Sequence, residues 1–156
     1  MARVEALNQA PVIDFIAASR VAHLATADAA ATPHNVPICF YFDGARFYFV
    51  IDEKPKRRTG AALKRMRNIA RNPRVSVLID RYEEDWAHLA FVLVHGRARI
   101  VEDPEEYMLA LRGLRDKYTQ YRAMVLNPER NPVVRIDPER VHLWGARFSP
   151  LSQSAA

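Results

Sequence analysis

Hydrophobic residues alternate with polar ones over several short stretches of this chain, and helical spacing interrupts that alternation in three places. Val12, Phe15, Ile16 and Ser19 recur at helical spacing across residues 10–19, with Pro11 at a first-turn position that tolerates it. Residues 21–26 (VAHLAT) read as a first strand, 28–32 as a turn of small residues, and 33–42 as a second strand. Asp43-Gly44 then predicts a two-residue hairpin, because that turn needs positive φ and Asp-Gly supplies it at little cost. Residues 46–51 (RFYFVI) become the return strand. Both faces of this hairpin are apolar: Val36, Ile38, Phe40 and Phe42 point one way, Pro37, Cys39 and Tyr41 the other. A strand with one covered face alternates more cleanly. A helix, a partner subunit or a flat ligand must therefore cover the second face.

Thr59 or Gly60 can cap a helix running to about Arg71, with Leu63, Met66, Ile69 and Ala70 as its buried stripe and Lys64, Asn68 and Arg71 on another side. Asn72-Pro73 stops it, since a residue before proline avoids the α region. Residues 74–80 alternate as a strand, and 82–85 form an acidic turn. Residues 87–101 read as one long strand whose Gly96 marks a bulge or corner. Asp103-Pro104-Glu105-Glu106 starts a helix, with Asp as cap, Pro first, and Glu three residues after the cap. Tyr107, Leu111, Leu114 and Tyr118 are its stripe. Residues 119–131 read as loop or a short frayed helix. Residues 133–136 and 140–144 read as strands joined by an Asp137-Pro138 turn. The expected organisation is one domain over 1–147 and a tail over 148–156. Six or seven antiparallel strands with two or three short peripheral helices make this an α+β chain, mainly antiparallel β, built on a small closed or half-closed barrel. No alternating βαβ order and no glycine-rich dinucleotide loop appear.

Charge changes the picture most. The chain is +5 overall, yet residues 53–74 hold nine Lys/Arg against Glu53 alone, a local +8, so the remainder is net acidic. A cationic loop and helix directly behind a strand suit an anionic, phosphate-bearing ligand. Lys54, Lys56 and Arg57 sit just past a strand end where their charges can converge, and charge-assisted bonds of this kind are the strong ones. Lys64 and Asn68 lie one helical turn apart and can reach the same anion; Arg65, Arg67 and Arg71 read as surface residues. A pI near 9.7 raises nucleic acid as a partner. Without zinc-finger spacing, an RNP-like strand or a helix-turn-helix, that reading is disfavoured. Five histidines never fall at a metal-ligand spacing, so no metal site is expected. His34 and His95 are the two with some claim to face a substrate. The single cysteine, Cys39, excludes an internal disulfide and points to the reducing cytoplasm; it has no histidine with a claim to be its base and reads as a small core residue. No apolar run approaches a membrane span, and the N-terminus carries no leader pattern.

Six segments in order, RVAHLAT (20–26), PHNVPICF (33–40), IDEKPK (51–56), NPRVSVLID (72–80), Asp85-Trp86 and Gly96-Arg97-Ala98, resemble the pyridoxamine-phosphate-oxidase-like FMN-binding split barrels. The closest branch is that of the small deazaflavin-dependent (F420-dependent) oxidoreductases. Ile136-Asp137-Pro138, Arg140-Val141 and Trp144 close the same pattern, and the likeness covers roughly residues 10–146. The turn at 29–32 departs by lacking the glycine usual there. The resemblance implies a homodimer with two cofactor sites at the subunit interface. The ring would lie along Pro37, Ile38, Cys39 and Phe40, and the phosphate end would lie on the basic loop and helix. Ile51 and Asp52 would flank it, Asp52 either shaping the loop or bonding a ribityl hydroxyl. Trp86 would be a dimer anchor or a lid on the partner's ring, Trp144 core or interface. Reduced F420 carries more negative charge than FMN and suits nine cations better, so the expected activity is hydride transfer from F420 to a small unsaturated organic acceptor. The alternatives are an FMN protein of the oxidase type and a non-catalytic flavin or haem carrier. Hydride transfer at such a ring needs no protein nucleophile, and no catalytic residue is assigned.

Overall fold

Residues 3–52 and 63–149 are described by a computed structural model. In order, the elements are α1 (Ala10–Ala18), β1 (Ala22–Ala27), β2 (Pro33–Ile38), β3 (Tyr41–Phe42), β4 (Phe47–Val50), α2 (Lys64–Arg71), β5 (Arg74–Arg81), β6 (Ala90–Ile100), α3 (Pro104–Lys117) and β7 (Val133–Trp144). Single turns of 3-10 helix stand at Val4–Asn8, Trp86–His88, Thr119–Arg122 and Ala146–Phe148. The strands form one antiparallel sheet in the order β2-β1-β5-β6-β7-β4-β3. β2 and β3 lie at opposite edges, yet only Cys39 and Phe40 separate them in the chain. Laid flat, seven strands about 4.8 Å apart would hold the edges about 29 Å from each other. Two linking residues span at most about 11 Å. The sheet is therefore curled into the expected split barrel.

That link corrects one expectation. Residues 33–42 are two strands, not one: β2 pairs with β1 through Ala22↔Ile38 to Ala27↔Pro33, while β3 pairs with β4 through Tyr41↔Tyr48 and Phe42↔Phe47. The hairpin turn is also longer than two residues. Asp43 to Arg46 separate β3 from β4, Gly44 takes φ 101°, and the Asp43 carboxylate accepts from the Ala45 and Arg46 amides at 2.8 and 2.7 Å. The side-chain bond replaces the tight-turn geometry.

Facing the barrel interior, Val36, Ile38, Phe40, Phe42, Phe47 and Phe49 join Phe15 and Ile16 of α1 and Met66 and Ile69 of α2 in one core. On the other face of β4, Tyr48 and Val50 pack with Tyr107, Leu111 and Leu114 of α3, and Cys39 and Tyr41 lean on the same cluster. A helix thus covers the second apolar face at Cys39 and Tyr41. At Pro37 that face stays open.

α3 starts as expected, the Asp103 carboxylate accepting from the Glu105 amide at 3.1 Å. Glu106 does not turn back on the cap. It accepts from the Tyr48 hydroxyl at 3.0 Å and pairs with Arg135 at 2.8 Å, pinning the helix to β4 and β7. The Asp137-Pro138 turn is absent: β7 runs unbroken alongside β6, His95 opposite Arg140 and Gly96 opposite Pro138, with Glu139 as the extra residue of a bulge. A Cβ at position 96 would run into the Asp137 carbonyl, so Gly96 makes the close approach possible. The last segment is no tail up to Ser149, since Phe148 meets Phe15 edge-on at 5.4 Å within the core. Among the described residues no helix is long and apolar enough to cross a membrane, and no His/Cys/Asp/Glu group could hold a metal.

Candidate functional site

α2 carries charge to one end of the barrel. Its Met66 and Ile69 are buried in the core, which turns Lys64, Arg67 and Arg71 toward a cleft of about 630 Å³ shared with Asp28, Ala29 and Ala30 of the β1–β2 turn. Lys64 Nζ lies 3.2 Å from Asp28 Oδ2. The other Asp28 oxygen accepts from the Ala30 and Thr32 amides at 3.0 and 2.9 Å. The Thr32 amide first, and Lys64 after it, hold the Asp28 carboxyl below its ordinary pKa. Ala31 takes φ 60° here, occupying the left-handed position that the missing glycine would fill. Asn68 is placed differently from Lys64. Only 2% exposed, it donates to the Thr26 hydroxyl at 2.9 Å and so ties α2 to β1. Lys54, Lys56 and Arg57 lie outside the described residues.

Pro37 and Ile38 end β2, an edge strand whose outer hydrogen-bonding side no strand among the described residues uses. Pro37 is exposed on the outer face, whereas Ile38 and Phe40 are buried. The Tyr118 hydroxyl fixes the next residues by accepting from the Phe40 amide at 3.0 Å and donating toward the Arg20 carbonyl at 2.9 Å. Ile51 is buried and its carbonyl accepts from Asn131 at 2.9 Å. Asp52 accepts a 2.8 Å bond from the Tyr121 hydroxyl, whose pKa burial and this carboxylate both push up. Sequence reasoning missed Asp28 and Tyr121, because neither has a local pattern: Tyr121 lies 69 positions from its partner.

The structure does not bring Trp86 to the α2 corner within one chain. Ala25 pairs with Ser76 and His23 with Leu78, so Asp28 lies at the Arg74 end of β5, while Trp86 follows the Arg81 end and is 71% exposed. β5, at about 3.4 Å per residue, separates them. Of the two histidines, His95 sits on the outer face beside Arg140 and His34 faces inward opposite Thr26.

Residues 11–145 match the family model described as pyridoxamine 5'-phosphate oxidase. The chain belongs to that family. A relative from Streptomyces rimosus, 5a,11a-dehydrotetracycline/5a,11a-dehydrooxytetracycline reductase, is 27% identical over 134 residues, 85% of this chain and 80% of the relative. The conserved hypothetical protein Rv2991 of Mycobacterium tuberculosis superposes with a TM-score of 0.71 at 25% identity, over 90% of this chain and 86% of that one. An FAD-binding protein of Mesorhizobium loti shares the fold at a TM-score of 0.61 and 24% identity, over 83% of this chain and 88% of its own. This is the fold of flavin-binding oxidoreductases of the pyridoxamine 5'-phosphate oxidase type, and the residues present fit such a group. The cleft joins three cations to one acid and lies at the end of a sheet whose edge strand still has backbone donors to offer.

Proposed function

We propose that the chain is an F420-dependent reductase that works in the cytoplasm as a homodimer and delivers a hydride to a small conjugated unsaturated acceptor. The observation that carries this reading is the cationic cleft on α2 beside the open edge of β2. Lys64, with Lys54, Lys56 and Arg57 from the basic loop, binds the phosphate and carboxylate tail. Pro37 and the backbone of residues 38–40 form the surface for the ring, held in place through the Tyr118 bond to Phe40. Asp52, oriented by Tyr121, keeps one carboxylate oxygen for a hydroxyl of the linker. Bound in its reduced form, F420 supplies the hydride. The protein's part is to orient the acceptor's double bond, exclude water and leave a proton source for the neighbouring carbon. The relative named as a reductase of 5a,11a-dehydrotetracycline supports an acceptor with a carbon–carbon double bond.

A second copy supplies the other wall. Outside the barrel, cross-strand neighbours Pro37, His23, Leu78, Leu93 and His142 form one row across five strands, with Phe91 stacked on Trp144 beside it at 5.6 Å. Among the described residues no helix covers this row. It adjoins the ring surface at Pro37, and Trp86, 71% exposed beyond the Arg81 end of β5, would act as a dimer anchor or as a lid on the partner's ring. An FMN enzyme is the second reading, supported by the family's flavin chemistry and the FAD-binding neighbour.

Absorbance titration with F420 and with FMN tests the proposal. F420 is expected to bind more tightly than FMN, and Lys54→Ala/Lys56→Ala to weaken it at least tenfold, about 1.4 kcal/mol. Reduced F420 should then turn over with 5a,11a-dehydrotetracycline. A protein that retains FMN and ignores F420 supports the second reading, whereas haem uptake without reductase turnover overturns both.

A further inference from the structure

A separate cavity of about 700 Å³ opens between α1, β3 and α3, lined by Ile13, Ile16 and Phe42 on its apolar side and by Arg20 and Lys117 together. The Arg20 guanidinium donates to the Lys117 carbonyl at 2.6 Å and lies over the Tyr118 ring at 4.8 Å. Lys117 Nζ rests 3.7 Å from the centre of the Phe40 ring and has one long bond, 3.5 Å, to the Ile16 carbonyl. Among the described residues neither cation forms an ion pair. Asp43 and Asp116 also line the cavity, but Asp43 is engaged by the Ala45 and Arg46 amides, and neither acid pairs with either cation. Two like charges side by side, one of them partly desolvated and both without a counter-ion, are costly to keep. Beside an apolar wall they form a receptor for an anion with an apolar body.

We propose that this cavity is a second small-molecule site that takes a monocarboxylate with a compact apolar body, the carboxylate held between Arg20 and Lys117. Ile13, Ile16 and Phe42 contact the body. The site is distinct from the α2 cleft but touches the ring-facing segment through Phe40, whose backbone Tyr118 holds. It does not depend on which cofactor the other site takes.

Calorimetric titration of the full chain with 2-naphthoate, against 2-naphthylmethanol as the neutral analogue, tests it. One naphthoate per chain is expected, with the alcohol at least tenfold weaker, and Lys117→Met and Arg20→Gln are each expected to weaken naphthoate at least tenfold. Raising the pH from 7 to 9.5 should weaken binding in the wild type and not in Lys117→Met, because burial and then Arg20 pull the Lys117 pKa down to about 8. Ile13→Glu, at a position 37% exposed, should repel the anion without disturbing the fold. Absence of naphthoate binding at about 5 mM, or binding that is equal in all three variants, overturns the proposal. F420 and FMN titrations of the same variants report the other site separately.

Discussion

Lys117 shows how a single residue can be kept at a cost. Its ammonium rests on the Phe40 ring, partly withdrawn from water, so burial first and Arg20 second lower its pKa to about 8 from the ordinary 10.5. Below pH 8 the folded chain carries the whole cost of that charge. Between pH 8 and 10.5 the unfolded chain binds more protons than the folded one, so stability rises with pH across this window. Lys117→Met keeps the stem and removes the charge. It should stabilise the protein at pH 7 by about 1 kcal/mol, discounted for the solvent the amine still meets, and the gain should vanish by pH 10.5. Urea unfolding at the two pH values measures it, and a gain that grows with pH would contradict the desolvated amine. Asp28 poses the opposite case, an acid set against a cation the ligand needs. Asp28→Asn keeps an oxygen for the Ala30 and Thr32 amides and frees Lys64. Cofactor affinity should rise by up to about fivefold, the range of an exposed pair; an unchanged affinity would remove Lys64 from the cofactor site. Charge and spacing in the sequence nominate Lys64 for the ligand, a role that this titration tests. They do not nominate Asp28, because its pairing depends on a turn and a helix 36 positions apart meeting in space.

At the scale of elements, periodicity identified the three α-helices and most strands among the described residues, and two of its errors in placing strands share a cause. Alternation runs on without a mark through Cys39 and Phe40, yet there the chain crosses from one sheet edge to the other. At Asp137-Pro138 a turn signature sits inside a continuous strand. Both outcomes are decided by what lies alongside, which local pattern does not encode. For β7 the deciding neighbour is Gly96. Its missing side chain admits the Asp137 carbonyl, and the bulge lets proline sit where a ladder amide is not required. Gly96→Ala should therefore cost about 2 to 3 kcal/mol, as overpacking does, seen as a lower urea midpoint with an unchanged slope. If the midpoint does not move, β6 and β7 are not as tightly apposed as described. The Asp103 cap tests less, since Glu106 has left the cap for Arg135 and Tyr48, and the helix is held by that network as much as by its first turn.

For the whole molecule, the curl of the sheet was legible from strand number, a long strand with a mid-strand glycine, and an apolar hairpin. The use of the barrel's outer face was not, because His23, Leu78, Leu93 and His142 come from four strands and form a row only once register is known. Leu93 lies near the middle of that row, paired with Leu78 on one side and His142 on the other. If a second copy seats here, Leu93→Arg places an unpaired cation in the interface, at several kcal/mol if the charge stays buried, while in the isolated chain the guanidinium simply extends into water. Sedimentation should then find the wild type as a dimer and Leu93→Arg as a folded monomer. Cofactor uptake should be lost with the dimer even though Lys64 and the basic loop are intact, because a ring lying on Pro37 would have lost its opposite wall. A Leu93→Arg monomer that still binds F420 or FMN at wild-type strength would mean that each barrel holds its cofactor alone. The open row would then have to be covered by something other than a second copy of this chain.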